Sequence, residues 1–178
     1  MALQRVVFVC TANIARSPYA ERRMRQLLAA AGVSHVVVSS AGIPGFEGRP
    51  MDSTMEAQLA RRGADGADHS SRVLSEPIMA EADVVLVMEF AQQLKVWQAW
   101  PQLRSRVFGL MQFAAAAEKV ELRGESGAGG SLAAIAALTT PNSMTLDVAD
   151  PHKRGNRAAK RCATQIDAAL ESIVATLV

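Results

Sequence analysis

Short runs of β-branched and other apolar residues recur along this chain, and they constrain the fold more than any other feature. They fall at 6–9, 35–39, 82–88 and 106–110. Runs without strict apolar–polar alternation are typical of strands that are buried on both faces of a sheet. Segments with helical spacing of apolar residues separate them. Because parallel strands need crossover helices, this order predicts an α/β fold, a parallel sheet covered by helices on both faces.

The helices between these runs carry recognisable end signals. The first is predicted from Pro18 to Gly32, since proline is tolerated in a first helical turn and glycine ends helices. Asp52 or Ser53 can cap a second helix, and Glu56 can complete a capping box with Ser53. The last helix is predicted over about 156–177, with one apolar stripe that should pack against the sheet.

Residues 114–146 have a different composition. Consecutive alanines are followed by GESGAGGS at 124–131 and LAAIAAL at 132–138. This composition predicts one or two weak helices joined by a flexible hinge. The length fits one domain. We therefore expect a single domain over 1–178 with a flexible Ala/Gly-rich insertion at about 114–146.

Charge and cysteine content exclude several classes of protein. Nineteen basic and seventeen acidic residues leave a net charge of +2, which is too small for a nucleic-acid-binding protein that neutralises many phosphates. The two cysteines, Cys10 and Cys162, cannot build a disulfide framework and lack zinc-ligand spacing. The apolar run before Cys10 is too short for a signal-peptide core, and no segment has the length of a membrane span. The sequence predicts a cytoplasmic protein with no metal, cofactor or membrane partner.

The loop Cys10–Pro18, between the first strand and the first helix, carries the chemistry. A loop that enters a helix N-terminus directs several backbone N–H groups at one point, where the helix dipole adds positive charge. A thiol at that point is expected to be ionised and nucleophilic, which assigns this role to Cys10. The Arg16 guanidinium can reach the same point and bind two oxygens of a tetrahedral anion there. Ser17 can donate to the thiolate, and Asn13 can occupy a position of positive φ.

A structural role is the alternative for each cysteine. A lone cysteine after a buried strand is usually a small core residue. Arginine and serine at the required offset from Cys10, in a strand-to-helix context, favour the catalytic interpretation there. Cys162 has no such neighbours and lies on a helical apolar stripe, which predicts a core role.

The segment VCTANIARSPYAE resembles the Cys-x5-Arg-Ser-Pro signature of the low-molecular-weight protein tyrosine phosphatases. Other segments match that family in order and rough spacing: SAG at 40–42, GFEGRPMD at 45–52, HSSRVL at 69–74, ADVVLVM at 82–88 and DP at 150–151. The resemblance implies a three-layer sandwich around a four-stranded parallel sheet, with the phosphate loop after strand one.

The resemblance also implies a two-step hydrolysis of phosphomonoesters that needs no cofactor. Cys10 would form a phosphocysteine, Asp150 would act as general acid and then as general base, and Arg16 would stabilise the transferred group. Asp147 is the alternative acid. The implied phosphate- and substrate-binding residues are Thr11, Ala12, Asn13, Ile14, Ala15, Ser17, Phe46 and His152.

Several residues depart from the family pattern. Ala12 stands where glycine is common, and Ala15 where many members carry a second, protective cysteine. His152 and Lys153 replace the aromatic residues that follow the Asp-Pro pair in phosphotyrosine-specific members, which leaves Phe46 as the matching wall residue. We therefore expect weaker or less selective activity on phosphotyrosine. Ile14 resembles the tyrosine-directed members more than the arginine-phosphate-directed ones.

Two other functions remain open at this stage. The same loop could bind arsenate, so a thiol-dependent arsenate reductase is one alternative. A catalytically weak phosphoprotein-binding regulator is the other. The expected partners are a phosphorylated protein substrate and a kinase-paired signalling system, and the expected state is a monomer or weak dimer.

Overall fold

One parallel sheet forms the centre of the protein. The computed structural model describes residues 3–123 and 131–178. Its four strands lie in the order β2-β1-β3-β4, and every neighbouring pair is parallel. They are β1 (Gln4–Cys10), β2 (Val36–Gly42), β3 (Val84–Val87) and β4 (Val107–Gly109). The predicted α/β fold with a four-stranded parallel sheet is confirmed.

Helices cover both faces of the sheet. Helices α1, α5 and α7 pack on one face together with α6, and α3 and α4 pack on the other. Helix α2 packs against α1 and α7. Their bounds are α1 (Arg16–Ala30), α2 (Ser53–Ala60), α3 (Glu76–Glu81), α4 (Phe90–Ala99), α5 (Leu110–Leu122), α6 (Leu132–Ala137) and α7 (Gly155–Leu177), with 3-10 turns at Pro101–Arg106 and Met144–Leu146.

The central strand β1 shows why the predicted runs lack polar residues. Val6 and Phe8 belong to the core beneath α1, α5 and α7, whereas Val7 and Val9 belong to the core beneath α3 and α4. Successive side chains of a strand point to opposite faces, so a strand covered on both sides must be apolar throughout. All four residues are buried. Burial on both faces fixes the position of the loop that follows β1.

Of the two caps predicted for α2, Asp52 is the one observed, because its side chain accepts hydrogen bonds from the backbone N–H groups of Thr54 and Met55. Helix α3 was not predicted, since six residues are too short to show a helical period.

Much of the segment predicted as an insertion at 114–146 is helical. Helix α5 contributes Ala114, Ala116, Ala117 and Val120 to the core, where it packs against α7. Its small alanine side chains let the two helices approach closely. Helix α6 also buries Leu132 and Ile135 in this core, so both helices are structural parts of the domain. Residues 124–130 lie outside the described residues, and the flexible hinge predicted there stays a prediction.

A buried carboxylate joins α7 to α1 and to the turn that follows α2. Asp167 of α7 accepts hydrogen bonds from the Tyr19 hydroxyl at 2.8 Å and from Arg23 Nε at 3.0 Å, and it also pairs with Arg62. Tyr19 and Arg23 belong to α1. These contacts hold α7 against the helix that begins at the phosphate loop.

Within residues 3–123 and 131–178, no helix is both long enough and apolar enough to cross a membrane.

The burial of α6 generates a test of its structural role. Ile135 is 0% exposed, so Ile135→Ala should lower the free energy of unfolding by roughly 2–5 kcal/mol, the usual cost of a large-to-small core substitution. Leu122→Ala is the control, because Leu122 is 88% exposed and should cost less than about 0.5 kcal/mol. Urea unfolding measures both. Equal, small effects would mean that α6 is attached only loosely.

Candidate active site

A pocket of about 180 Å³ lies at the carboxyl end of β1, where α1 begins. Ligands bind at this end of parallel strands in open α/β sheets. The pocket brings together most of the predicted site residues: Cys10, Thr11, Ala12, Ile14, Ala15, Arg16, Asp150 and His152 line it. Asn13 and Ser17 are fully buried beside it. Phe46 is not among the lining residues.

Cys10 is the last residue of β1 and is only 2% exposed. Its Sγ lies 3.1 Å from Ser17 Oγ, a distance at which the hydroxyl can donate to a thiolate. Ser17 belongs to the first turn of α1. The expected contact between thiol and hydroxyl is therefore present, and it orients the sulfur at the N-terminus of the helix.

Asn13 holds the shape of the loop. Its φ of 56° lies in the left-handed region, as its residue type predicts. Its amide Nδ2 donates to Ser17 Oγ at 3.0 Å and to Ser40 Oγ at 2.8 Å, and its Oδ1 accepts from the Arg72 backbone N–H at 2.9 Å. A His69 ring nitrogen lies 2.7 Å from the Asn13 carbonyl. These bonds compensate for the unfavourable backbone conformation and orient Ser17.

The SAG segment at 40–42 supports the loop from below. A Cβ on Gly42 would lie 3.0 Å from the backbone N of Asn13, so only glycine allows this approach. The next turn adds a hydrogen bond from the Gly45 N–H to the Thr11 carbonyl, at 3.0 Å. Ala12 does not have a positive φ, so its backbone conformation does not require the glycine that is common there.

Arg16 is the most buried charge of the site, at 2% exposure. Its Nη1 donates to the Val148 carbonyl at 2.8 Å and to Glu89, and its Nη2 lies 3.4 Å from Asp150 Oδ2. Its Nε is buried and, among the described residues, has no hydrogen-bond partner. Burial acts to lower the pKa of Arg16, but the nearby acidic groups of Cys10, Asp150 and Glu89 raise it above its usual value. The guanidinium is charged and has a donor available for an oxyanion.

Glu89 and Gln92 are site residues that the sequence analysis missed. Glu89 follows the carboxyl end of β3 and caps α4. Gln92 accepts from the Met88 and Glu89 backbone N–H groups and donates its Nε2 to Thr11 Oγ1 at 3.1 Å. The position of Glu89 just beyond a parallel strand was the available signal, since functional groups gather at that edge.

Two carboxylates were candidates for the general acid, and their positions separate them. Asp150 lines the pocket, and its side chain is 44% exposed. Asp147 instead accepts a hydrogen bond from the Phe90 backbone N–H at 2.7 Å, which anchors it to the start of α4. Because only Asp150 lines the pocket, the geometry favours it as the acid.

His152 contacts a residue from a distant part of the chain. Its Nδ1 lies 2.9 Å from Asp52 Oδ2, at the N-cap of α2. Burial acts to raise the pKa of Asp52, but hydrogen bonds from Thr54, His152 and Met55 hold it below its usual value. Asp52 is therefore a carboxylate near neutral pH, and it holds the imidazole at the rim of the pocket.

Phe46 has a different contact from the predicted one. Its side chain is 44% exposed, and the Arg49 guanidinium stacks over its ring at 4.4 Å from the centroid. This cation–π contact covers one face of the ring. The predicted role of Phe46 as a substrate wall therefore requires Arg49 to move or the substrate to use the opposite face.

Cys162 occupies the core position that its helical stripe predicts. It is buried on α7, and burial raises the pKa of its thiol to about 12. Over 3–123 and 131–178, no group of three or more His, Cys, Asp or Glu side chains is placed to hold a metal ion.

The positive φ of Asn13 allows backbone strain to be separated from lost hydrogen bonds. Asn13→Ala and Asn13→Gly both remove the side-chain bonds, but only glycine adopts this φ without steric cost. Asn13→Gly should therefore be more stable than Asn13→Ala by roughly 1 kcal/mol in urea unfolding, and less stable than the parent. Equal stabilities of the two variants would contradict a strained loop.

Comparisons with known proteins agree with this geometry. The model of the family described as low molecular weight phosphotyrosine protein phosphatase matches residues 5–125. A low molecular weight protein-tyrosine-phosphatase of Streptomyces coelicolor is 30% identical over 175 residues, which cover 97% of this chain and 93% of the relative.

Solved structures share the fold. A low molecular weight protein tyrosine phosphatase from T. tengcongensis superposes with a TM-score of 0.76 and 26% identity, over 96% of this chain and 97% of that one. An arginine phosphatase from Geobacillus stearothermophilus superposes with a TM-score of 0.75 and 22% identity, over 96% of this chain and 90% of that one. The chain belongs to the low molecular weight phosphotyrosine protein phosphatase family.

Proposed function

We propose that this phosphatase hydrolyses phosphotyrosine in proteins through a phosphocysteine on Cys10. The observation that carries the proposal is the convergence, in one pocket, of the Cys10 thiol, the buried Arg16 guanidinium and the Asp150 carboxylate. The Arg16 Nε, which is buried and has no partner within the described residues, supplies a donor for a phosphoryl oxygen.

In the first step, the Cys10 thiolate attacks the phosphorus atom. The S–P bond forms as the bond from phosphorus to the leaving oxygen breaks, and the protonated Asp150 carboxyl donates its proton to that oxygen. Ser17 Oγ, 3.1 Å from the sulfur, stabilises the thiolate before attack. Backbone N–H groups of Thr11 through Arg16 and the Arg16 side chain stabilise the transferred group.

In the second step, a water molecule attacks the phosphocysteine. Asp150, now a carboxylate, accepts a proton from the water as the S–P bond breaks, and the thiolate and inorganic phosphate are released. Arg16 Nη2 lies 3.4 Å from Asp150 Oδ2, so the residue that accepts the proton is held beside the guanidinium that binds the transferred group.

The two other chemical possibilities have less support. Arsenate reduction through an internal thiol relay needs additional reactive cysteines, whereas Cys162 is buried with a pKa of about 12. A role limited to phosphoprotein binding would not require a thiol at the focus of the loop. Hydrolysis uses Cys10, Arg16 and Asp150 together.

The residues around the pocket offer little aromatic surface on which a substrate ring could stack. His152 replaces one aromatic residue of typical members, and Arg49 covers a face of Phe46. We infer lower selectivity for phosphotyrosine than in those members. A protein kinase acting on the same residues must supply the phosphorylated protein. We further infer a single phosphatase domain, monomeric or weakly dimeric, in the cytoplasm.

The assignment of the nucleophile and the acid is tested by three substitutions, with p-nitrophenyl phosphate as substrate. Cys10→Ser should abolish hydrolysis, because an alcohol is not ionised at neutral pH. Asp150→Asn should lower the rate by about 10²-fold or more, the usual contribution of a general acid. Asp147→Asn is the matched control and should retain most of the activity. Loss in Asp147→Asn with none in Asp150→Asn would reassign the acid.

The substrate is tested by a panel of a phosphotyrosine peptide, a phosphoarginine peptide and an alkyl phosphate. We expect hydrolysis of the phosphotyrosine peptide with only modest preference over the others, and a change in kcat/KM of less than about threefold for Phe46→Ala, since an exposed ring contributes little differential binding. A strong aryl preference that Phe46→Ala alone removes would contradict the reduced role of this ring. Exclusive hydrolysis of phosphoarginine would change the assigned substrate.

A further inference from the structure

A chain of hydrogen bonds connects the phosphate loop to the general acid through α2. The Asp52 backbone N–H donates to the Ile14 carbonyl at 2.7 Å. The Asp52 carboxylate lies 2.9 Å from His152 Nδ1, and the His152 backbone N–H lies 3.3 Å from Asp150 Oδ1. Both ends of this chain line the pocket. Asp52, which caps α2, belongs neither to the phosphate loop nor to the loop that carries Asp150.

The Asp52 carboxylate, which contacts His152, is held in place by other hydrogen bonds. Its side chain is 12% exposed. Its Oδ1 accepts from the Thr54 backbone N–H at 3.0 Å and from the Met55 backbone N–H at 3.3 Å. A carboxylate held by the first turn of a helix cannot rotate without losing its cap. The remaining oxygen, Oδ2, is therefore presented to His152 at a defined position.

His152 belongs to a loop that needs such an attachment. The loop passes from Val148, which binds Arg16, to the start of α7. Lys153 has a φ of 58° and Gly155 a φ of 76°, so the chain turns sharply just after His152. A non-glycine residue at positive φ is unfavourable unless surrounding contacts impose it. The imidazole contact with Asp52 is a side-chain contact that can impose it.

We propose that Asp52 and His152 are positioning residues that hold the Asp150 carboxyl at the leaving oxygen, Asp52 by fixing the imidazole and His152 by fixing the loop whose N–H binds Asp150. The inference rests on the proposed function, in which Asp150 is the general acid. The titratable groups that line the pocket with His152 are Cys10, Arg16 and Asp150. Arg16 contacts the Asp150 oxygen that the His152 N–H does not bind. The acid is thus held on both oxygens, by the guanidinium and by the backbone of His152.

Leaving-group dependence separates positioning of an acid from a merely structural role. A poor leaving group such as phenolate needs the proton from Asp150 more than p-nitrophenolate does. The ratio of kcat/KM for phenyl phosphate to kcat/KM for p-nitrophenyl phosphate therefore measures how well the acid is placed in the first step. A fall in the amount of folded enzyme changes both values equally and leaves the ratio unchanged.

His152→Ala and Asp52→Ser should each lower this ratio by about tenfold, a part of the full contribution of a general acid. Asp52→Ser keeps an N-cap for α2, since serine caps helices about as well as aspartate, but its side chain is too short to reach the imidazole. His152→Asn retains a side-chain N–H near the Nδ1 position and should keep the ratio within about twofold of the parent. Asp68→Ser, on an exposed ion pair with Arg22, is the control.

Asp150→Asn serves as the reference and should lower the ratio most. If the ratio falls in Asp150→Asn but not in His152→Ala or Asp52→Ser, the positioning role is wrong while the proposed function stands. Equal losses on both substrates in these two variants would also overturn it, because they indicate a structural role. If Asp150→Asn leaves the ratio unchanged, the assignment of the acid itself fails.

Discussion

The active site is organised around one buried cation. An unpaired guanidinium removed from water would cost several kcal/mol, so the buried Arg16 requires acidic and carbonyl partners. They come from two separate segments: Glu89 follows β3, and the loop before α7 supplies the Val148 carbonyl and Asp150. Because one charge contacts both segments, the phosphate loop, the start of α4 and the loop that carries Asp150 are held together before any substrate binds.

The need of buried polar groups for hydrogen-bond partners also explains why the phosphate loop tolerates an unfavourable backbone conformation. Asn13 adopts a positive φ, and its side chain then donates to Ser17 and Ser40 and accepts from Arg72. Each of these partners is buried or partly buried, so leaving any of them without a hydrogen bond would be costly. The strain is therefore balanced by contacts that also set the Ser17 hydroxyl against the Cys10 sulfur.

Local features were predictable from the sequence. The residues Cys10, Arg16 and Ser17 lie at a fixed spacing within one strand–loop–helix unit, and the strands follow from apolar runs that must be buried on both faces. The contacts of Glu89, Asp52 and His69 were not predictable, since each joins segments that are far apart in the chain. Nor was the burial of α5 and α6, because an alanine-rich composition is compatible with both a weak surface helix and a closely packed one.

The sequence by itself determined the fold class and the placement of Cys10 and Arg16 in one strand–loop–helix unit, since periodicity and the offset between these two residues are local properties of the chain. Only the tertiary structure placed Asp150 in the pocket and Asp147 at the start of α4, and only the tertiary structure brought His152 against Asp52. Those outcomes depend on how α2, α4 and α7 pack around the sheet. Packing brings together groups whose distance in space cannot be inferred from their separation along the chain.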